Sequence, residues 1–371
     1  MKPISLLLLA FAGIASSTFL QAPEDPIQSA FHSYMLTFNR TYKEGSQDYE
    51  HALAAFTRSY LAMVHHNREG SASYEMGLTD FSDRMPIEVE IEMAEEGANS
   101  MVQREHRLEY PAEVDWSATK YVSPPINMAN CRDGGHIFAA VSAVESAYAI
   151  RDDLDASHPD NLISVRYFMD CDYTNMGCNG GGQPYKIWRF MAKEGFCTWS
   201  DFPRNEPAET PKSMNVYNCP KYLVKNVVKV ARDLKSIVMK NPSIDILKAL
   251  LQYQPVVAGI NINDFSPLYQ YKSGIIADTA FACSSDYNDD ARKINSYVTI
   301  MGYKEGSTIT GCSGHWIVKN NWGPNWGEQG YFRICIPSDI TQYPYGHCNI
   351  HQVIQIPDVG LIPGYLIPPT A

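Results

Sequence analysis

The chain contains 371 residues, of which 45% are hydrophobic and 19% are charged, so it can bury a large core in one or two domains. Its formal net charge of −11 argues against a nucleic-acid-binding function, because phosphate contacts need clustered Lys and Arg side chains. No stretch beyond the N terminus is an uninterrupted apolar run long enough to cross a bilayer, and we therefore predict no transmembrane segment.

Residues 1–17 are typical of a secretory signal peptide, since Lys2 precedes an apolar run over Ile4–Ile14 and small residues follow. Nine cysteines in a secreted chain predict disulfides formed in an oxidising compartment, with one thiol left over. We therefore expect a secreted, extracellular or lysosomal protein. The sequon Asn39-Arg-Thr41 is a candidate glycosylation site.

Helical periodicity marks two segments. Apolar residues recur at three- and four-residue spacing over residues 27–67, which predicts an amphipathic helical segment. The charged stretch over residues 88–107 is expected to be a linker, with a domain boundary near Tyr110. The apolar run Gly135–Ile150 predicts a buried helix.

The second half is dominated by β-branched and aromatic runs bounded by Gly, Pro and Asn. These predict strands over residues 222–230, 255–262, 296–303, 315–320 and 331–336. A short surface helix is expected over residues 243–252, and an extended Pro-rich tail over residues 357–371. A helical half followed by a β half predicts an α+β fold with a cleft between two packed units.

Six short motifs follow one another along the chain: Val114-Asp-Trp116, Leu162 to Cys171, Gly177 to Gly181, Gln254-Pro-Val256, Tyr269 to Ile275, and Lys319 to Tyr331. In this order they resemble the papain family of cysteine peptidases, cathepsin L in particular. The resemblance covers about residues 31–356 and implies a papain-like two-subdomain fold, with a helical left half, a β-barrel-like right half and a cleft between them.

Upstream, Gly77-Leu-Thr-Asp-Phe81-Ser-Asp83 resembles a propeptide motif of the same family, and Phe56, Met63 and Asn67 fall at positions of its helical motif. The resemblance implies an inhibitor-type pro-segment and linker over residues 18–109, called the pro-segment below. A peptidase domain over residues 110–356 and the tail over residues 357–371 would follow.

Catalysis in this family needs a Cys thiolate at a helix N-terminus, an imidazole, an oxyanion-binding amide and an Asn that orients the imidazole. Counting back from Phe138 places Gly135 at the nucleophile position, in a segment one residue longer than the usual pattern. Met128 stands at the position of the oxyanion Gln and Ser296 at that of the His. A hydroxyl cannot replace imidazole as a base near neutral pH.

The orienting residue is retained as Asn320, with Trp322 expected to cover it. Loss of one triad member costs on the order of 10⁶ in turnover in subtilisin, and losses within such a unit are not additive. The resemblance therefore implies a catalytically inactive domain whose cleft is kept. Gly180 and Gly181 match the strand that binds extended peptides in this family, although they could also be turn glycines beside a disulfide.

The resemblance also implies the disulfides Cys131 with Cys178, Cys171 with Cys219, and Cys283 with Cys348. From its spacing around Asn320, the pair Cys312 and Cys335 is expected to form an extra bridge, which leaves Cys197 as a buried thiol. His136 beside Gly135 suggests either a rearranged site with Ser142 or Ser296, or a side chain that fills space. His347 and His351 have helical spacing for a metal, but no third ligand accompanies them, so we expect neither a metal nor a cofactor.

Three functions remain open. The first is a secreted or lysosomal inactive peptidase homologue, monomeric, that binds an extended peptide, a peptidase inhibitor or another protein. The second is a divergent cysteine-type endopeptidase that acts in proteolysis through Cys131. The third is an extracellular structural or storage protein, suggested by the signal peptide and the Pro-rich tail.

Overall fold

The structure is a computed structural model that describes residues 26–69, 72–84, 98–99, 108–128, 131, 134–178, 180–202, 229, 231–262, 267–277 and 294–367. The predicted signal peptide, most of the predicted linker and nearly all of the strand expected over residues 222–230 lie outside the described residues. Within the described part, no helix combines the length and apolarity needed to cross a bilayer.

The pro-segment contains two helices rather than one continuous helical segment: α1 (Pro26–Thr37) and α2 (Gln47–Arg68). The chain turns between them, and α2 begins where the Ser46 side chain accepts a hydrogen bond from the Tyr49 N–H. Phe31, Tyr34 and Phe56 form the centre of a small hydrophobic cluster between the two helices. The pro-segment therefore has an apolar core of its own.

Three helices form the first half of the main domain as the structure describes it. The long helix α3 (Gly135–Asp152) matches the predicted buried helix and is buried on almost every face. It is followed by α4 (Val165–Cys171) and α5 (Pro184–Lys193), which were not predicted from periodicity. Because α3 packs against α5 on one side and against the sheet on the other, it lies at the junction of the two halves.

Among the described residues, ten strands form one sheet, which combines the β half of the main domain with two strands that precede that domain. Its members are β1 (Tyr74–Met76), β2 (Ala98–Asn99), β3 (Glu113–Asp115), β4 (Lys235–Lys240), β5 (Val256–Ile260), β6 (Tyr271–Ile276), β7 (Ser296–Glu305), β8 (Cys312–Lys319), β9 (Tyr331–Pro337) and β10 (Val353–Asp358). The order is β1-β6-β9-β8-β7-β5-β10-β4-β2, and β3 pairs with the end of β7. Four of the five predicted strands correspond to β5, β7, β8 and β9, and the α+β class is confirmed.

Two sequence expectations differ from the structure. The helix predicted over residues 243–252 is present as α6 (Ile244–Leu251), but it is buried rather than on the surface. The expected tail is not separate from the domain at its start, since Pro357 and Asp358 belong to β10 and Leu366 is buried against the domain. Apolar residues near the end of the chain, such as Val359 and Ile362, bury against the same core, which holds this part of the tail in place.

Candidate functional site

The site lies where the N-terminus of α3 meets the start of β7. Gly135 is the first residue of α3, and a β-carbon added to it would lie 3.4 Å from Oγ of Ser296 and 3.5 Å from N of Tyr297. Ser296 is the first residue of β7 and pairs with Ile260 of β5. The structure therefore brings together the two positions at which the family resemblance places the thiol and the imidazole.

Gly134, the residue before Gly135, has a different environment. A β-carbon added to Gly134 would lie 2.3 Å from Sγ of Cys131, which is far inside van der Waals contact. Cys131 cannot move away freely, because it forms a disulfide with Cys178. Of these two glycines, only Gly135 has room for a side chain on the cleft side.

Asn320 follows β8 directly and is almost fully buried. Its Oδ1 accepts a hydrogen bond of 2.8 Å from the N–H of Asn321, while its Nδ2 has no hydrogen-bond partner among the residues that the structure describes. A buried amide donor without a partner costs free energy comparable to a lost hydrogen bond. The Asn320 side chain therefore carries an unused donor beside the site.

Asn321 was not singled out from the sequence, yet it joins the parts of the site. Its Nδ2 donates to the carbonyl of Tyr297 at 2.7 Å and to that of Gly135 at 3.4 Å. Its backbone carbonyl accepts from the N–H of Met128 at 2.9 Å. One side chain thus ties α3 to β7, and its backbone holds the loop before α3. Its place in the Lys319 to Trp322 motif, next to the retained Asn320, was the available signal.

Met128 lies on this loop and is buried, so its side chain belongs to the hydrophobic core. A thioether presents no N–H group, so this side chain cannot donate a hydrogen bond to an oxyanion. Its neighbour Asn127 pairs with Trp322, and Gly323, at φ +81°, allows the close approach of the two chains. A β-carbon on Gly323 would lie 2.8 Å from Cβ of Asn127.

A buried charged pair, also missed from the sequence, lies behind the site. Lys319 donates to Oγ of Ser142 at 2.9 Å and to the carbonyl of Ser123 at 2.7 Å. Ser123 in turn donates to Oε2 of Glu145 at 2.7 Å. Burial raises the pKa of Glu145 above its usual range and lowers the pKa of Lys319. Ser142 is therefore engaged by Lys319 in the interior.

His136 is fully buried within α3 and belongs to the packed interior. The rearranged site that would combine His136 with Ser142 or Ser296 stays a prediction. His351, the second half of the candidate metal pair, accepts a hydrogen bond of 2.8 Å from Nε1 of Trp316 through Nε2. Burial and the neighbouring His347 lower the pKa of His351 to about 3.

The loop that follows Cys178 carries the two glycines expected to bind an extended peptide. Gly180 is exposed and Gly181 buried, with φ angles of 140° and 71°, so both use backbone conformations that favour glycine. The carbonyl of Gly181 accepts a hydrogen bond from the N–H of Met176 at 3.0 Å. The Gly181 carbonyl is therefore already bonded within the loop, whereas the sequence predicted that this strand bonds a peptide.

Trp322 is buried in an aromatic cluster. Its ring stacks on Tyr269, with centroids 4.8 Å apart, and meets Trp326 edge-on at 4.9 Å. Phe81 of the pro-segment lies 4.9 Å from the same ring. Trp322 therefore anchors the pro-segment, whereas its expected role as a cover for Asn320 stays a prediction.

The cysteines follow the expected pattern where the structure describes them. The disulfides Cys131–Cys178 and Cys312–Cys335 are present. Cys171 and Cys348 are each disulfide-bonded, and their expected partners, Cys219 and Cys283, lie outside the described residues. The bridge at Cys131 contradicts the hypothesis that this residue is a free nucleophile, because its sulfur is committed to Cys178.

Cys197 is the free cysteine among the described residues, and it is buried. Burial raises the pKa of its thiol to about 12. A thiol with this pKa is almost entirely protonated near neutral pH and is a poor nucleophile. Asn39, the candidate glycosylation site, is exposed in the turn that follows α1.

Comparison with known proteins gives two family matches. Residues 110–357 match the papain family cysteine protease domain, and residues 31–89 match the cathepsin propeptide inhibitor domain. A viral cathepsin of Choristoneura fumiferana defective polyhedrosis virus is 27% identical over 347 residues, which cover 90% of this chain and 94% of the relative. Pro-cathepsin H of Bos taurus is 27% identical and covers 82% of this chain and 84% of its own length.

Among solved structures, a recombinant stem bromelain precursor superposes with a TM-score of 0.66 at 21% sequence identity. The match covers 91% of this chain and 100% of that structure. At this identity the likeness concerns the fold, and it supports a papain-like arrangement in which a pro-segment precedes the main domain.

Proposed function

Because this chain belongs to the papain family of cysteine proteases, we propose that it is a catalytically inactive member whose cleft binds extended peptides or other proteins. The observation that carries the proposal is the approach of Gly135 to Ser296. The N-terminus of α3 and the start of β7 present only backbone groups and a hydroxyl at the two positions where a thiol and an imidazole would be needed. Neither group supplies a thiolate or a base near neutral pH.

The extra residue in the segment before α3 does not shift this assignment to the neighbouring glycine. A nucleophile at position 134 would overlap Sγ of Cys131, whereas position 135 has room for one. Neither Cys131 nor Cys197 can replace the missing nucleophile, because Cys131 is bridged and Cys197 is buried with a raised pKa. These features favour inactivity over a divergent endopeptidase.

The side chains of Asn320 and Met128 support the same conclusion. An Asn that orients a catalytic imidazolium accepts a hydrogen bond from a ring N–H through its side-chain oxygen. Ser296 has no ring N–H to donate, and Oδ1 of Asn320 instead accepts from the N–H of Asn321. At Met128 the amide that would bind an oxyanion is replaced by a thioether, which cannot donate.

Binding is the function that the remaining parts of the cleft support. The exposed Gly180 lies on a rim fixed by the Cys131–Cys178 disulfide, and the absence of a side chain lets another backbone approach. We propose that the partner is an extended peptide, a peptidase inhibitor or a protein segment, bound by a monomer. The signal-peptide pattern and the disulfides support a secreted or lysosomal location.

Activity is tested first on a pro-segment-free sample of the wild-type protein, with a fluorogenic dipeptide substrate. We expect no turnover that an epoxide thiol inhibitor abolishes. Inhibitor-sensitive turnover by the wild type would overturn the proposal. A double variant, Gly135→Cys with Ser296→His, is expected to gain inhibitor-sensitive turnover, and Gly135→Cys alone serves as its matched control.

Binding is tested with a library of labelled extended peptides, by fluorescence anisotropy. We expect saturable binding that Gly180→Val weakens by at least about tenfold, because the side chain blocks the backbone approach. Gly360→Ala is the matched control, since Gly360 also has a positive φ of 91° but has nothing within 4 Å of an added β-carbon. Equal binding by both variants would remove Gly180 from the site.

A further inference from the structure

We propose that the pro-segment is a permanent part of this protein, held on the main domain by non-covalent contacts even when the linker is cut. The inference rests in part on the proposed function, because an inactive domain has no reason to release an inhibitor. The structural case is independent and concerns how deeply the segment over residues 74–83 is built into the domain.

The first contact is a strand. β1 pairs with β6 in an antiparallel register, with Tyr74 opposite Gly274 and Met76 opposite Tyr271. The side chains of Tyr74 and Met76 are buried and belong to the main hydrophobic core, not to the small core between α1 and α2. Removal of the pro-segment would therefore take two buried side chains out of the core of the main domain.

The second contact lies where the chain continues past β1. The Gly77 N–H donates to the carbonyl of Gln270 at 2.7 Å, and Oγ1 of Thr79 donates to the carbonyl of Tyr269 at 2.7 Å. Phe81 then packs against Tyr269, with centroids 5.5 Å apart, and against Trp322 at 4.9 Å. The segment thereby covers the aromatic cluster next to Asn320.

The helical half of the pro-segment holds this segment from the outside. Asn67 at the end of α2 makes two hydrogen bonds to the backbone of Met76, at 2.8 and 2.9 Å. The Arg40 guanidinium bonds the carboxylate of Asp83 at 2.7 Å and the carbonyl of Asp80 at 2.6 Å. The segment over residues 74–83 is thus held by the main domain on one side and by other residues of the pro-segment on the other.

Few of the contacts between the two parts are ionic. Among the described residues, Lys272 and Glu75 form an ion pair across the interface at 2.8 Å, with both side chains at least half exposed. Such exposed pairs contribute little. The other contacts named above that cross between the pro-segment and the main domain join backbone groups, a hydroxyl and aromatic rings, which keep their charge state between neutral and mildly acidic pH. The ion pair of Arg40 with Asp83 lies within the pro-segment.

The test uses the full chain with a site-specific protease sequence inserted after Ser100 and an affinity tag at the C terminus. The purified protein is cleaved, diluted and analysed by size exclusion and by recapture on the tag. We expect the cleaved pro-segment to remain with the main domain at about pH 7 and at about pH 5. Elution of wild-type pro-segment and main domain as separate species would overturn the proposal.

Two variants link the result to the named contacts. Phe81→Ala is expected to raise the dissociation rate of the cleaved pro-segment by at least about tenfold, because it removes a ring from the aromatic cluster. Leu36→Ala is the matched control, since Leu36 lies on the pro-segment with 85% of its surface exposed. Equal dissociation rates for both variants, with helical content retained, would exclude the aromatic contact as the anchor.

The same sample separates this inference from the proposed function. If the cleaved complex stays together but hydrolyses the dipeptide substrate in an inhibitor-sensitive way, the main domain is active and the proposed function fails. If it shows no turnover but releases the pro-segment, the proposed function stands and the permanent association fails.

Discussion

Acidification should destabilise this protein through His351, a buried histidine that the fold requires in its neutral form. Because Trp316 Nε1 carries a hydrogen, the Nε2 atom of His351 that accepts it must be unprotonated. Protonation would place two N–H groups against each other in a buried site. Burial, assisted by His347, accordingly lowers the pKa of His351 from 6.5 to about 3.

The sign and size follow from this shift. A histidine whose pKa is lower in the folded protein contributes its full stability above about pH 6.5 and loses it as the pH falls toward 3. At about 1.4 kcal/mol per unit, the free energy of unfolding should fall by about 2 kcal/mol between pH 7 and pH 5 from this group alone. Glu145 acts in the opposite sense, because a carboxyl with a raised pKa takes up its proton earlier in the folded protein.

The variant His351→Gln isolates the effect, since glutamine offers Trp316 an acceptor but does not titrate. Denaturant unfolding of wild type and variant, followed by tryptophan fluorescence between pH 7 and pH 5, gives the difference in their pH dependence. All other titrating groups are shared and cancel in this difference. His158→Gln replaces a histidine with 62% of its side chain exposed and should follow the wild-type slope. Parallel curves for wild type and His351→Gln would refute the reasoning.

Three further predictions concern stability. Lys319→Met should lower the free energy of unfolding by about 3–5 kcal/mol, because Glu145 is left buried without its cation. Adding Glu145→Gln should recover most of that loss, as measured by denaturant unfolding. Replacing both Cys312 and Cys335 by Ala should lower the free energy of unfolding by about 3 kcal/mol, given their 23-residue separation, and an unchanged melting temperature would contradict this. Gly302→Ala should destabilise the protein by more than about 2 kcal/mol, since the added β-carbon would overlap the Val114 carbonyl oxygen. Gly364→Ala should be neutral in the same thermal assay, because nothing lies within 4 Å of a β-carbon added there.

Much of the fold was predictable because its central elements have strong local patterns. The periodicity of Gly135–Ile150 and the β-branched runs of β5, β7 and β8 identify elements that are buried on most faces. The spacing of Cys312 and Cys335 around Asn320 led to the correct disulfide, because antiparallel neighbours bring such positions together.

Burial of charged residues was not predictable from the sequence. Lys248 belongs to α6, the helix expected on the surface, yet it is buried. Its Nζ bonds Glu305 at 2.7 Å and lies over the rings of Tyr110 and Tyr303. These partners are far apart in sequence, so the burial depends on tertiary contacts. Pro357 and its neighbours similarly suggested an extended tail, although β10 pairs with β4 up to Asp358.

The candidate site was partly predictable, because some of its residues belong to short local motifs. Gly135 and Ser296 could be placed by counting within motifs, and the structure brings them close enough that a β-carbon on Gly135 would touch Ser296. Asn321 could not be assigned a role, because its hydrogen bonds reach α3 and β7 through space. The buried pair of Lys319 and Glu145 also depends on how β8 packs against α3.

The pairing of β1 with β6 also affects the solubility of the protein. An edge strand exposes unpaired backbone N–H and C=O groups that can pair with a second chain. The sheet begins at β1 and its path ends at β2, and both strands precede the matched protease domain. Without them, β6 and β4 would form the edges, and β6 would offer a ready template for intermolecular strand addition. With them, the edges are strands of three and two residues, and such short edges offer a second chain little backbone to pair with.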